Sequence, residues 1–399
     1  MKIGYISKNY STKRNIIGKV PDIEYVYRVG ANQIANFPFK AINRKVSRKL
    51  FGNVVTSQES YHLPFPVNRP DVYHYFNSVG TTSTPWCTTF ETIVPRTSNA
   101  LTAMDEINEK SDSNVGTLTK RLVKLMASDR CIGLIPMSQN AYQIQESFLS
   151  DFAQEGEAIL KKTQVIQPPQ KLLIDERDKQ TAKTRLSFIF VANDFVRKGG
   201  YEVIEAFRVL KEKYDLHLTV VSKLIGINKL TGASYQSYPT AKELKKTIDL
   251  LQSSCDWLTF YNGLPNDQVL QQMKKAHIGL LPTRADSYGY SVLEFQAAGC
   301  PVISTNIRAL SELNNENLGW IVEAPKLQSG NMDLSYRIEN LSSIITKGII
   351  STVEGIYEQP ETVVAKTNLA LEKIRRFHNP QNFSANLVRI YEKAGNLSQ

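Results

Sequence analysis

A chain of 399 residues has room for two α/β domains with a core each, and its hydrophobic content of 42% includes no apolar run long enough to span a bilayer. The formal charge is +10, and nine of those ten charges arise before residue 51, where eleven Lys and Arg face only Asp22 and Glu24; a positive end of that kind suits anionic lipid or another polyanion. Four widely spaced cysteines, Cys87, Cys131, Cys255 and Cys300, give neither a disulfide framework nor zinc-ligand spacing and predict reduced thiols in a cytoplasmic protein.

Ile3, Tyr5 and Ile6 predict a first strand, and Met1–Ser11 lacks the apolar core and cleavage site of a signal peptide. Between residues 39 and 51, Phe39, Ile42, Val46 and Leu50 fall at helical spacing among Lys40, Arg44, Lys45, Arg48 and Lys49. Such a helix either lies on an anionic membrane surface or turns its apolar stripe into the domain core. No nucleic-acid recognition module accompanies the basic residues, so nucleic acid is not an expected partner. Asp71–Phe76 and Trp86–Phe90 read as strands ending in Asn77 and Glu91. His74, on the first of them, is a candidate ligand contact against the alternative of a satisfied structural histidine.

Leu118–Met126 predicts a helix, Cys131–Met137 a strand, Ser138–Phe148 a helix capped by Ser138, and Val165–Ile166 a last short strand. The charged stretch 171–184 is the linker between a first domain, 1–170, and a second, 185–379.

The second domain opens with the apolar run Leu186–Ala192, a helix marked by Val203, Ile204, Ala206, Phe207 and Leu210, and a strand at His217–Val221. That is a βαβ unit of parallel sheet. Arg197 and Lys198 sit in its first turn, before Gly199 and Gly200. Cations are disfavoured at the positive end of a helix, so this pair suits a bound phosphate better than a helix start. Trp257–Tyr261 predicts a strand followed by the turn Asn262-Gly263. Ile278, Leu280 and Leu281 form another strand, stopped by Pro282. Ser287, Tyr288, Gly289 and Tyr290 then lead into a short helix that Gly299 ends and Pro301 seals. Asp286 precedes that helix and Glu294 stands about two turns inside it. Carboxylates there suit sugar hydroxyls, and the free N–H groups between them suit a diphosphate. Further on, Leu318–Val322 reads as a strand, and Asp333–Thr346, Thr362–Phe377 and Asn382–Lys393 as helices.

The run from Leu280 to Asn306 resembles the acid-x7-acid signature of retaining glycosyltransferases of family 4, which have the GT-B fold. Asp286, Ser287, Tyr288 and Gly289 stand where that family usually has Glu-Gly-Phe-Gly, and Glu294, Ala298, Gly299, Pro301 and Val302 match it. Arg197-Lys198-Gly199-Gly200 is similar to the family's cationic turn, with Ala192 in place of the Gly that usually begins the motif. Asn262-Gly263 resembles the turn that holds the nucleotide base. The segment Pro85–Arg96 resembles the strand ending in Thr-x-His, and Glu91 occupies the place of that His, either touching substrate or capping the following turn.

The resemblance implies two Rossmann-like, doubly wound parallel-sheet domains facing a central cleft. The first is on the acceptor side and is completed by a C-terminal helix, 380–399; the second binds the nucleotide sugar. It further implies a hexosyltransferase that keeps the anomeric configuration. Arg197 and Lys198 would stabilise the departing diphosphate with amides of Ser287–Tyr290, Asp286 would hold the transferred sugar and Glu294 the ribose. His74 and Glu91 would lie on the acceptor and sugar side. No metal and no cofactor is expected beyond the donor itself. The acceptor would be a glycan, a lipid-linked sugar or a protein, used in polysaccharide biosynthesis at the inner face of a membrane. The alternative is an inactive GT-B paralogue serving as partner subunit to another transferase, suggested by Asp286, Glu91 and the altered first loop.

Overall fold

The computed structural model describes residues 1–28, 61–62, 69–97, 116–175, 185–224, 239–333 and 335–395. The basic segment 39–51 and most of the stretch 171–184 lie outside them. The chain forms two compact units, Met1–Pro169 with Asn379–Gln399, and Gln170–His378.

Unit 1 runs β1 (Lys2–Tyr5), α1 (Tyr10–Asn15), β2 (Glu24–Tyr27), β3 (Tyr61–His62), β4 (Val72–Phe76), β5 (Val79–Gly80), β6 (Trp86–Phe90), α2 (Thr117–Ala127), β7 (Cys131–Pro136), α3 (Gln139–Leu149) and α4 (Ala153–Leu160). Five of these strands make a parallel sheet in the order β2-β1-β4-β6-β7. Ser138 caps α3 as its sequence predicts, its hydroxyl accepting from the Ala141 N–H at 3.0 Å. Val165 and Ile166 do not form a strand. The chain from Lys162 runs beside the edge of β7, with the Leu134 N–H donating to the Lys162 carbonyl, the Gln164 N–H to that of Leu134 and the Ile166 N–H to that of Pro136, and the Leu134–Thr163 contact is an isolated bridge.

Unit 2 continues with β8 (Leu186–Val191), α5 (Gly200–Leu210), β9 (Leu216–Val221), α6 (Ala241–Gln252), β10 (Leu258–Tyr261), α7 (Asn266–Lys275) and β11 (Ile278–Leu281). It closes with α8 (Tyr290–Ala297), β12 (Val302–Thr305), α9 (Leu310–Leu313), β13 (Trp320–Val322), α10 (Ile338–Glu358) and α11 (Glu361–Phe377). The last helix, α12 (Pro380–Glu392), belongs to unit 1, where Phe383, Leu387, Ile390 and Tyr391 join a core with Ile3, Val72, Cys87 and Ile135. Its start is set by Asn379, whose side chain accepts from the Gln381 and Asn382 N–H groups, with Pro380 at the first helical position.

The unit 2 sheet is parallel throughout in the order β10-β9-β8-β11-β12-β13. Strands are added first on one side of β8 and then on the other, so the winding reverses between β8 and β11. In open α/β sheets the carboxyl ends of the two strands at such a reversal flank a ligand crevice. Phe188, Phe190, Ile278 and Leu280 are wholly buried, as parallel strands covered on both faces require. Gly279 lets α8 lie directly on β11, since a Cβ there would come within 2.5 Å of the Phe295 ring.

Several helices depart from the sequence reading. α10 begins five residues later than expected and runs to Glu358, because the apolar series Leu341, Ile345, Ile349, Val353 and Ile356 continues past Gly348. Gly348 is no stop signal. A Cβ on it would meet Val322 Cγ1 at 2.5 Å, so it brings the helix close to β13. α1, α4, α6, α7 and α9 were not expected, although Thr240 and Glu243 form a complete capping box at the start of α6.

Candidate active site

The loops that follow β8 and β11 hold the expected cations and the first expected acid, and hydrogen bonds stitch them together. The Arg284 N–H donates to the Arg197 carbonyl at 2.9 Å, and the Thr283 hydroxyl lies 3.2 Å from the same carbonyl. Gly199 makes the closest approach. Its φ of +82° and a Pro282 carbonyl oxygen that would lie 2.1 Å from any Cβ leave room for no other residue.

On this frame the Lys198 ammonium donates to Asp286 Oδ2 at 2.5 Å and to the Ala285 carbonyl at 3.2 Å. Arg197 donates through Nη1 to the same carbonyl at 2.9 Å and through Nε to Asp194 Oδ2 at 2.7 Å. The side chains of Lys198 and Asp286 are each 15% exposed. Burial by itself pushes the Asp286 carboxyl up, but the Lys198 charge and hydrogen bond, with Arg197 behind them, hold it below the usual carboxylate value. Burial also draws the Lys198 ammonium down, against the pull of Asp286. The interaction between the two groups favours the charged form of each.

The helix after Asp286 begins at Tyr290, with Gly289 at φ +95° as its cap. A Cβ on Gly289 would meet Leu310 Cδ2 at 2.4 Å, so α9 supports this turn from behind. The Tyr288 N–H donates to Asp286 Oδ1 at 3.3 Å. One of the four amides expected for a ligand is thus used inside the loop. The Tyr288 side chain is buried and its ring lies 5.3 Å from that of Tyr290. Ser287 is half-buried, and Glu294 is a buried residue of α8, 8% exposed. Asn262 and Gly263 follow β10, which β9 separates from β8, and Gly263 turns the chain at φ +76° against the Lys223 stem.

The two remaining candidates are in unit 1. Glu91 accepts from the Ser11 hydroxyl at 3.1 Å, and its N–H is held by Asn77 Oδ1 at 3.0 Å. His74 departs from the expectation of a sugar contact. It is wholly buried, with Nδ1 2.7 Å from the Tyr391 hydroxyl and Nε2 2.8 Å from Thr89 Oγ1, and burial lowers its pKa to about 3. It ties β4 to β6 and α12, and both of its nitrogens are engaged in doing so.

Sequence reasoning missed Asp194, Arg284 and Glu202. Asp194 was visible three residues before Arg197. Glu202 carried a signal too, being an acid on the same helical face as the apolar residues Ala206 and Leu210.

With this geometry in place, comparison with known proteins gives a consistent result. Residues 174–340 match the model of glycosyl transferases group 1. That segment covers most of unit 2 and includes every site residue described there. A capsular polysaccharide biosynthesis glycosyltransferase, CapM of Staphylococcus aureus, is 27% identical over 128 residues, which is 32% of this chain and 30% of CapM. The matched stretch is therefore less than a third of that relative's length. Among solved structures, HepE of Anabaena in complex with UDP superposes with a TM-score of 0.56 at 14% identity, over 98% of this chain and 99% of HepE. A glycosyltransferase of Rickettsia africae gives 0.53 at 14% identity over 94% and 85% of the two chains. A sucrose-phosphate synthase of Thermosynechococcus elongatus gives 0.52 at 13% over 82% and 74%. These likenesses show the GT-B fold. No described helix is long and apolar enough to cross a membrane.

Proposed function

We propose that this chain is a retaining glycosyltransferase of family 4 type, moving a sugar from a nucleoside diphosphate to an acceptor hydroxyl without a metal. The observation that carries the reading is the joining of Arg197, Lys198 and Asp286 across the two loops at the sheet reversal. In the reaction the bond from the anomeric carbon to the diphosphate oxygen breaks and one to the acceptor oxygen forms on the same face. The acceptor proton passes to the departing phosphate oxygen, and positive charge develops on the sugar meanwhile. Preorganised cations where the leaving group gains charge lower that barrier. Lys198 and Arg197 supply them. Asp286, kept ionised by Lys198, is an acceptor for hydroxyls of the transferred sugar, and Glu294 for those of the ribose.

The acceptor class we favour is a glycan or lipid-linked sugar of a surface polysaccharide, as the name of CapM suggests. UDP, held by HepE, is the first nucleotide to test. The reaction would take place in the cytoplasm or at the inner face of a membrane. The test is turnover of a panel of nucleotide sugars, with the anomeric configuration of the product read by NMR in the presence of excess EDTA. Lys198→Ala should lower kcat by about 10²-fold or more, the scale on which one transition-state donor matters. Unchanged turnover in that variant, or an inverted product, would sink the reading.

A further inference from the structure

Beside the Lys198–Asp286 pair lies a second ion pair with no solvent exposure at all. Arg284, two residues before Asp286, and Glu202, in the first turn of α5, both have fully buried side chains. Arg284 donates to Glu202 Oε1 through Nε at 3.1 Å and also through Nη2. The Ser342 hydroxyl of α10 donates to the same oxygen at 2.7 Å. Three segments therefore converge on one carboxylate oxygen, while Glu202 Oε2 is buried with no hydrogen-bond partner among the described residues.

Fold stability does not account for this arrangement. Removing a guanidinium and a carboxylate from water is costly, and apolar side chains of similar volume often stabilise as well or better. A carboxylate satisfied at one oxygen only makes the balance worse. Its placement is more informative. Arg284 also bonds the Arg197 carbonyl through its own N–H, the next residue presents its carbonyl to both Arg197 and Lys198, and the one after that is Asp286. Glu202 stands four residues beyond Lys198, across the turn that Gly199 presses onto Pro282. Each end of this pair is thus tied, within four residues, to one end of the Lys198–Asp286 pair.

We propose that Arg284 and Glu202 are positioning residues of the transfer reaction, fixing the loop after β11 against the start of α5 and so setting where Lys198 and Asp286 meet the donor. Neither touches the donor, and the inference rests on the transferase reading above. The planar guanidinium fork fixes orientation in a way that an ammonium does not, which makes Arg284→Lys an informative variant.

The test uses the full chain with Arg284→Lys, Ser342→Ala and the double variant Arg284→Met/Glu202→Leu. Three quantities are read: kcat and donor KM, the unfolding midpoint, and the carboxyl titration of Asp286 by ¹³C NMR. The groups acting on Asp286 are Lys198, Arg197 with Asp194 behind it, and the Tyr288 N–H. A misplacement of about 1 Å lowers turnover on the order of 10²-fold. The double variant is therefore expected to lose about 10- to 100-fold in kcat at an unfolding midpoint equal to or above that of the unaltered chain. Asp286 should titrate at higher pH in it as Lys198 drifts away, and Arg284→Lys should show both effects in smaller measure. Unaltered kcat and Asp286 titration in the folded double variant would overturn the proposal. Should the double variant not fold, the same null result in Arg284→Lys and Ser342→Ala would do so. If the unaltered chain transfers no sugar, the transferase reading fails by itself, while the Asp286 titration, which needs no substrate, still decides whether Arg284 and Glu202 position Lys198 and Asp286.

Discussion

Replacing Lys198 by Met leaves Asp286 as a largely buried carboxylate without its closest counter-charge. Breaking a buried pair from one side destabilises by about 3–5 kcal/mol, and the 15% exposure of both groups together with the remaining Arg197 brings the expectation to about 2–3 kcal/mol at pH 7.5. For a unit of this size that lowers the unfolding temperature by roughly 4–12 °C. The pH dependence is more diagnostic than the size. In the unaltered chain the folded carboxyl lies below its unfolded value, so its stabilisation is present above that unfolded value, near pH 4, and fades only as acid brings the pH down through the lower folded one. In Lys198→Met burial acts on the carboxyl with less opposition, its folded pKa rises, and the folded state takes up a proton before the unfolded state does. The difference between the two chains should therefore be widest near pH 7.5 and shrink toward pH 4.5. Urea titrations followed by tryptophan fluorescence, with Trp257 and Trp320 both in unit 2, would measure it. Adding Asp286→Asn should restore most of the loss. A deficit that does not vary with pH, or no deficit, would refute the reasoning.

Gly199→Ala should be the more damaging of two glycine substitutions, by about 2–4 kcal/mol against about 1–2 for Gly289→Ala, because its Cβ meets a backbone oxygen rather than the end of a leucine side chain. Thermal unfolding of both variants checks the order. Unit 1 should lose stability on acidification, since His74 and His62 are held neutral by burial, with pKa values lowered to about 3 and about 4. Each then contributes a loss of about 2 kcal/mol between pH 7.5 and pH 5, as the unfolded chain takes up protons that the folded one refuses. His74→Phe should flatten its share of that slope, and an unchanged slope in the variant would count against the assignment. Thr240→Ala removes one half of the α6 capping box and should destabilise by about 1 kcal/mol in urea unfolding.

The parallel α/β class was legible from the chain alone, because runs such as Leu186–Val191 and Ile278–Leu281 are apolar on both faces and end in Gly- and Pro-bearing turns. The turn Arg197–Gly200 and the acids Asp286 and Glu294 were legible for the same reason. A cation pair before a helix and an acid beside a left-handed glycine are local features, and local features are written in consecutive residues. What the sequence misjudged or left open was also local in appearance but decided at a distance. The helix read as ending at Thr346 continues because Gly348 makes room for Val322, and the choice left open for His74 was settled by Tyr391, 317 positions away, which takes its Nδ1.

Sequence by itself determined which cations and acids stand in the turns after the strands. Only the tertiary structure decided that they meet. Lys198 reaches Asp286 across 88 positions, and Arg284 reaches Glu202 across 82, because the strand order seats β8 beside β11. Periodicity reports which face of an element is buried. It carries no record of which strand will lie alongside, since that follows from competition among all the pairings the sheet could adopt, settled by burial and hydrogen bonding over the whole unit.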